Sequence, residues 1–281
     1  MKSYAGTLPV RPVVIKLGGR ALEAPGAPQE FATALSRLAH PAIVVHGGGA
    51  EVTAWCEKLG LESRFENGLR VTDPVKLEVA VAVLAGLANK RLVAALNHAD
   101  MRAVGLSGAD DRLLVAPRHP QSDVLGEVGH DPQVNRRLLH LLLAEGYTPV
   151  IATVATTYAG QLLNVNADDA AAAIAQAVHA SDLALLSDTP GLKLDGEVVS
   201  EIVAGDFDAT LANPQVAGGM RPKIAAAAAA VRAGVSRVHI AAWRGPETLH
   251  TLFHERTHGT LLHDGAGSGA VSAAKTEATH G

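Results

Sequence analysis

The sequence predicts an α/β protein built on a mostly parallel sheet covered by helices on both faces. Short apolar runs alternate with longer stretches of helical period, the grammar of βα units. The runs are apolar throughout instead of alternating with polar residues, as strands buried on both faces require. With 281 residues, 48% of them hydrophobic, the chain can bury one large core or two lobes. Aromatics make up only 3%, so Ala, Val, Leu and Ile must build that core.

"PVVIKL" (12–17) reads as a buried strand ending in Gly18-Gly19, and "AIVVH" (42–46) as another ending in Gly47-Gly48-Gly49. "AEVTAWCEKLG" (50–60) reads as a helix closed by Gly60. The longest helix is expected over 72–97, with Asp73 as N-cap and Pro74 in its first turn. Residues 131–146 repeat that pattern, with Asp131, Pro132 and a closing Gly146. Between them, "AVGLSG", "RLLVAP" and "DVLGEVG" (103–130) lie between turn residues and suggest hairpins. Strands are expected at 148–154, 182–187 and 236–243, with helices at 166–180, 218–234 and 246–253. The Gly/Ala/Ser-rich stretch 264–281 reads as a disordered tail.

Composition excludes several classes. A net charge of −4 with 19% charged residues carries no basic footprint for nucleic acid. The single cysteine, Cys56, rules out an internal disulfide framework and suits a reducing cytosol. "MKSYAGTLPVRP" lacks the apolar core of a signal peptide, and no apolar run approaches the roughly 20 residues of a membrane span. The expectation is a cytoplasmic protein with no membrane partner.

The chemistry-bearing residues sit at the strand ends. A glycine turn between a strand and a helix exposes backbone N–H groups beside a positive helix end, where anions bind. The turns lack both G-x-x-x-x-G-K-[ST] and G-x-G-x-x-G spacing, which argues against a P-loop or a dinucleotide fold. Lys16 interrupts an otherwise apolar strand, a costly placement unless it enters a polar site. Lys223 stands early in a helix, where a cation opposes the dipole unless a polyanion binds nearby. One motif points elsewhere. His254, Glu255 and His258 spell H-E-x-x-H, a zinc-protease signature. However, Gly259 is a helix stop, and the third-ligand position of the extended motif falls on Asp264.

In order along the chain come "IKLGGRAL" (15–22), "VVHGGGAEV" (44–52), "NGLRVTD" (67–73), "NKRLV" (89–93), "NVNADDAA" (164–171), "LLSDTPGL" (185–192) and "GGMRPK" (218–223). Through these pieces the chain resembles the amino acid kinase superfamily, and within it the N-acetylglutamate kinases of arginine biosynthesis. The resemblance covers nearly all of 12–263. It implies a three-layer αβα sandwich with a largely parallel eight-stranded sheet, forming a homodimer. It also implies two lobes: 12–181 for the acyl amino acid and dimerisation, and 182–263 for ATP. The reaction implied is phosphorylation of the side-chain carboxylate of N-acetyl-L-glutamate by ATP with Mg²⁺.

Lys16 and Lys223 would flank the transferring phosphoryl group, with Asp168 orienting both. Gly18, Gly19 and Gly48 would offer N–H groups to it. Arg70 would clamp the substrate α-carboxylate; Asn164, Gly48 and Gly49 would complete the substrate site. Asp188, Thr189, Pro190, Gly191, Leu192 and Lys193, with Gln215, Val216 and Ala217, would cradle the nucleotide. Mg²⁺ would rest on phosphates and water with no protein ligand. The alternatives are an N-succinylglutamate or carrier-linked aminoadipate kinase. Only 11 residues precede Pro12, interrupted by Pro9, and by resemblance this implies a dimer insensitive to arginine.

Overall fold

The computed structural model describes residues 10–18, 24, 26–255 and 258–265. Gly19, the residues before Val10 and nearly all of the 264–281 stretch lie outside the described residues.

An eight-stranded sheet forms the centre. Its strands are β1 (Val13–Leu17), β2 (Ala42–His46), β3 (Ala103–Ser107), β4 (Thr148–Ala152), β5 (Asp182–Ser187), β6 (Glu201–Val203), β7 (Arg237–Ala242) and β8 (Thr260–His263). They lie in the order β6-β8-β7-β5-β1-β2-β4-β3. All neighbours are parallel except β7 and β8. Helices cover both faces. They are α1 (Ala27–Ser36), α2 (Gly49–Lys58), α3 (74–98), α4 (Arg136–Ala144), α5 (Ala167–Ala177) and α6 (Met220–Arg232).

Side-chain alternation along β1 assigns its residues to the two layers. Val13, Ile15 and Leu17 pack with Phe31, Leu35, Leu92 and Leu96 on one face. Val14 packs with Ile174, Ala227 and Ile224 on the other. Lys16 therefore shares the face of Val14, under α5 and α6. The chain leaves β1 towards β2 but leaves β5 towards β7, which opens a crevice at the C-terminal ends of β1 and β5.

Three expectations need correcting. The segment 103–130 is not a set of hairpins. Ala103–Ser107 pairs parallel with β4 at the edge of the main sheet, and Leu114–Val115 joins a second five-stranded sheet. Asp131 is not an N-cap: it adopts φ 44°, Gln133–Val134 pairs antiparallel with Leu114–Val115, and the helix starts only at Arg136. Lastly, Pro74–His98 form one helix long and apolar enough, by length and composition, to cross a membrane, although polar residues break its sequence. Here it packs along α1, β3 and β4. Its N-cap is Asp73, whose side chain accepts from the Lys76 N–H. Its middle, Ala82–Ala88, is π-helical.

Candidate active site

Lys16, Asp168 and Lys223 meet at the crevice although they are far apart in sequence. Each is placed by a local device. Lys16 is the penultimate residue of β1. Asp168 stands in the first turn of α5, whose N-cap Asn166 accepts from the Asp168 and Asp169 N–H groups at 2.8 and 3.2 Å. Lys223 stands in the first turn of α6, one residue after Pro222. Asp168 Oδ2 accepts a hydrogen bond from Lys223 Nζ at 2.9 Å. Lys16 Nζ forms an ion pair with Asp168 Oδ1 at 2.7 Å. All three residues are buried.

Burial pushes the Lys16 ammonium down from its ordinary value; Asp168 opposes this and Lys223 adds to it. Burial also pushes the Asp168 carboxyl up, but the two ammonium groups outweigh it and hold the group below the usual carboxylate range. Two basic groups thus share one buried carboxylate, and Asp188 adds a weaker attraction to Lys16.

Gly18 makes room for this arrangement. A Cβ there would collide with the Lys16 ammonium, so glycine here serves the lysine as well as any ligand. Its N–H donates to the Leu186 carbonyl of the neighbouring strand at 2.8 Å, so the expectation that Gly18 offers its N–H to the phosphoryl group does not hold: that donor is already spent.

Gly48, Gly49, Arg70 and Asn164 line one cavity of about 150 Å³, together with Phe65, Leu84 and Thr153. Arg70 ends a two-stranded hairpin, Phe65–Glu66 with Leu69–Arg70. Its guanidinium donates to Ser63 Oγ at 3.0 Å, the Gly49 carbonyl at 2.6 Å and Thr53 Oγ1 at 2.7 Å. The Phe65 ring lies 4.7 Å from it. Arg70 is therefore pinned before any ligand arrives, and it braces the glycine turn. Asn164 donates to Thr72 Oγ1 at 3.3 Å, and Thr72 Oγ1 donates to the Arg70 carbonyl at 2.9 Å. Sequence reading missed Phe65 and Thr153, since neither spacing nor charge marks them.

The nucleotide candidates divide. Asp188 is exposed just past β5, and the Thr189 N–H donates to Ser187 Oγ at 3.3 Å. Pro190 borders a cavity of about 240 Å³ with Arg244, His258 and Gly259. Gly191 is buried, and the Leu192 N–H donates to Thr260 Oγ1 at 2.8 Å. Lys193 starts an exposed hairpin. Gln215 bonds Asp195 through both ends of its amide, and Ala217 is exposed. The side chains of Leu192 and Val216 belong to the core, so only their backbone could meet a nucleotide.

Of the H-E-x-x-H segment, residues 256 and 257 lie outside the described residues. Leu249 and Leu252 are buried in the core. His254 and Glu255 end an exposed π-helical turn, and Gly259 (φ 81°) leads into β8. Among the described residues no three His, Cys, Asp or Glu side chains gather around a point that could hold a metal.

A parallel sheet with two lysines and one aspartate at its switch point, beside a small cavity with a guanidinium, defines a phosphotransferase for a small anionic acceptor. Comparisons with known proteins agree. The profile of the amino acid kinase family matches residues 11–242. The acetylglutamate kinase of Koribacter versatilis is 40% identical over 245 residues, covering 86% of this chain and 94% of its own. That of Brachyspira hyodysenteriae is 38% identical over 271 residues, covering 94% and 93%. Among solved structures, N-acetylglutamate synthase of Neisseria gonorrhoeae superposes with TM-score 0.79 at 23% identity, covering 91% of this chain and 60% of that one. Giardia carbamate kinase superposes with TM-score 0.65 at 15% identity, covering 92% and 100%; at these identities both show the fold alone. The chain belongs to the amino acid kinase family and, within it, to the acetylglutamate kinases.

Proposed function

We infer that the protein transfers the γ-phosphoryl group of ATP to the side-chain carboxylate of N-acetyl-L-glutamate, giving ADP and N-acetyl-L-glutamyl 5-phosphate for arginine biosynthesis. The observation that carries this reading is the Lys16–Asp168–Lys223 cluster at the β1/β5 crevice. The nucleophile is the substrate's own carboxylate, ionised at pH 7 because its pKa is about 4.3, so no general base is required. A carboxylate oxygen forms a bond to the γ-phosphorus. The bond from that phosphorus to the β–γ bridging oxygen breaks, and ADP leaves with the electron pair. The barrier lies in bringing an anion up to a polyanion, and positioning and charge neutralisation lower it.

In this reading Lys16 stands on the acceptor side and Lys223 towards the leaving ADP. Asp168 keeps both ammonium groups apart and aimed. Gly19 and Gly48 supply N–H groups, that of Gly18 being held by the Leu186 carbonyl, and Arg70 meets the α-carboxylate, for which a planar guanidinium suits a paired contact. Asn164 and Gly49 complete the acyl-amino-acid site, and the turns 188–193 and 215–217 hold the nucleotide. Among the described residues the only carboxylate buried at the crevice, Asp168, is already committed to two lysines and fits poorly as a metal ligand. Mg²⁺ would therefore ride on the phosphates and water. Residues 12–181 would form the acyl-amino-acid lobe and 182–263 the nucleotide lobe of a cytoplasmic homodimer.

A substrate panel tests the reading. ADP release with N-acetyl-L-glutamate is expected to exceed that with N-succinylglutamate or aminoadipate derivatives. A preference for either of the latter would overturn the acceptor assignment.

A further inference from the structure

A buried polar chain behind the second glycine turn has no role in the mechanism so far. His46 is the last residue of β2 and is fully buried. Its Nδ1 lies 2.9 Å from the Gly47 carbonyl, and its Nε2 lies 3.1 Å from Asn89 Nδ2. Asn89 is also fully buried, directly after the π-helical part of α3. Its Nδ2 donates to the Val150 carbonyl at 2.9 Å, and its Oδ1 accepts from Lys90 Nζ at 3.1 Å. Gly105 leaves the space for that amide, since a Cβ there would strike Asn89 Oδ1.

These contacts determine which way each group points. The Asn89 amide has its NH₂ towards Val150 and its oxygen towards Lys90, so it donates to His46 Nε2. That nitrogen must then be the acceptor, and Nδ1 carries the proton and donates to the Gly47 carbonyl. Burial pushes the imidazole pKa down, which agrees with a neutral ring.

No cis peptide bond occurs among the described residues, so the Gly47–Gly48 peptide is trans and close to planar. Its carbonyl and N–H therefore point in opposite directions. With the carbonyl held on the imidazole, the Gly48 N–H is turned away from it. Among the described residues that N–H meets no acceptor. Gly47 and Gly48 border both the 150 Å³ cavity with Arg70 and a second one of about 310 Å³ reaching Gly18.

We infer that His46 and Asn89 are positioning residues that lock the Gly47–Gly48 peptide so that the Gly48 N–H is aimed at the reacting group. The inference rests on the kinase reading above. Without the imidazole the peptide can rotate in a glycine-rich turn, and the donor is lost without any change to the lysines.

The test compares His46→Gln with His46→Asn. The Asn amide nitrogen is bonded to Cγ, as Nδ1 is, and can still reach the Gly47 carbonyl. The Gln amide nitrogen lies one bond further out and takes the place of Nε2. Steady-state kcat is expected to fall roughly 10- to 100-fold in His46→Gln, while the KM for ATP moves by less than about 3-fold. His46→Asn should recover most of that loss at a similar melting temperature. Asn89→Ala, which frees the ring to take the other tautomer, should lower kcat by about 3- to 10-fold. It carries the test if His46→Gln does not fold. A folded His46→Gln with wild-type kcat, or a His46→Asn as slow as His46→Gln, overturns the inference, as does an Asn89→Ala with wild-type kcat. Lys16→Met in the same assay separates the two claims. If it is inactive while His46→Gln is not, only the positioning inference fails. If Lys16→Met itself turns over normally, the kinase reading fails.

Discussion

Two buried aspartates stand at opposite ends of the sheet, each held by two basic side chains. Asp182 opens β5 at the N-terminal edge. It takes Arg237 through both oxygens at 2.7 and 2.8 Å, and His239 Nε2 lies 3.0 Å from it. Asp168 lies at the C-terminal edge with Lys16 and Lys223. Around Asp182 the partners point directly at the carboxylate and the pair is closed. Around Asp168 both partners are single ammonium groups, at 2.7 and 2.9 Å, and the carboxylate stands at the crevice beside the glycine turns. In the proposed reading only Asp168 serves the reaction, so a buried carboxylate with two basic partners does not by itself mark a site.

The comparison is open to a double dissociation. Asp168→Asn should lower kcat by at least about 100-fold, because losing the aim of preorganised cations costs on the order of 3 kcal/mol of transition-state stabilisation. Asp182→Asn should leave kcat within a small factor. It should destabilise the fold by about 3 kcal/mol at neutral pH, as expected when one partner of a buried ion pair is removed. Urea unfolding measures that difference.

The Asp182 result carries a pH signature. Burial alone would push its carboxyl up, but Arg237 and His239 hold it well below its ordinary value. Its stabilisation is then present above the unfolded pKa, near 3.8, and is lost as pH falls through the lower folded value. The gap between wild type and Asp182→Asn should narrow in acid below about pH 4. A constant gap would mean that packing, not charge, holds that edge.

Arg70→Lys should raise the KM for the acyl amino acid about 10-fold with little change in that for ATP, since an ammonium cannot reproduce the paired contact. Equal rises in both would assign Arg70 to bracing the glycine turn.

The smallest effect concerns Asp169, beside Asp168. Burial, then the charges of Asp168 and Asp131, push its carboxyl up to about 6. Ionising it costs the folded state, so the stability it permits is complete below the unfolded pKa and is lost as pH rises through about 6. Asp169→Asn should therefore melt about 4 °C higher than wild type at pH 8. Below pH 4 the two should melt together.

Much of this frame was legible in the sequence. The apolar runs at 12–17, 42–46 and 182–187 are strands, and Pro222 does open a helix, because buried parallel strands and helix starts leave local marks. The cluster itself was not legible from spacing, since residues 16, 168 and 223 meet only through sheet order; the resemblance supplied it. Strands of two residues, such as Gln133–Val134, carry no period to read, so 131–135 looked like a helix start. The role of His46 depends on what its two ring nitrogens touch, which no sequence pattern encodes.

The central claim is that Lys16 and Lys223, aligned by Asp168, neutralise the meeting of two anions. Single-turnover phosphoryl transfer by Lys16→Met, with its melting temperature recorded alongside, tests it most directly. A folded variant at least about 100-fold slower than wild type is the expected result. A folded variant with wild-type transfer would contradict it.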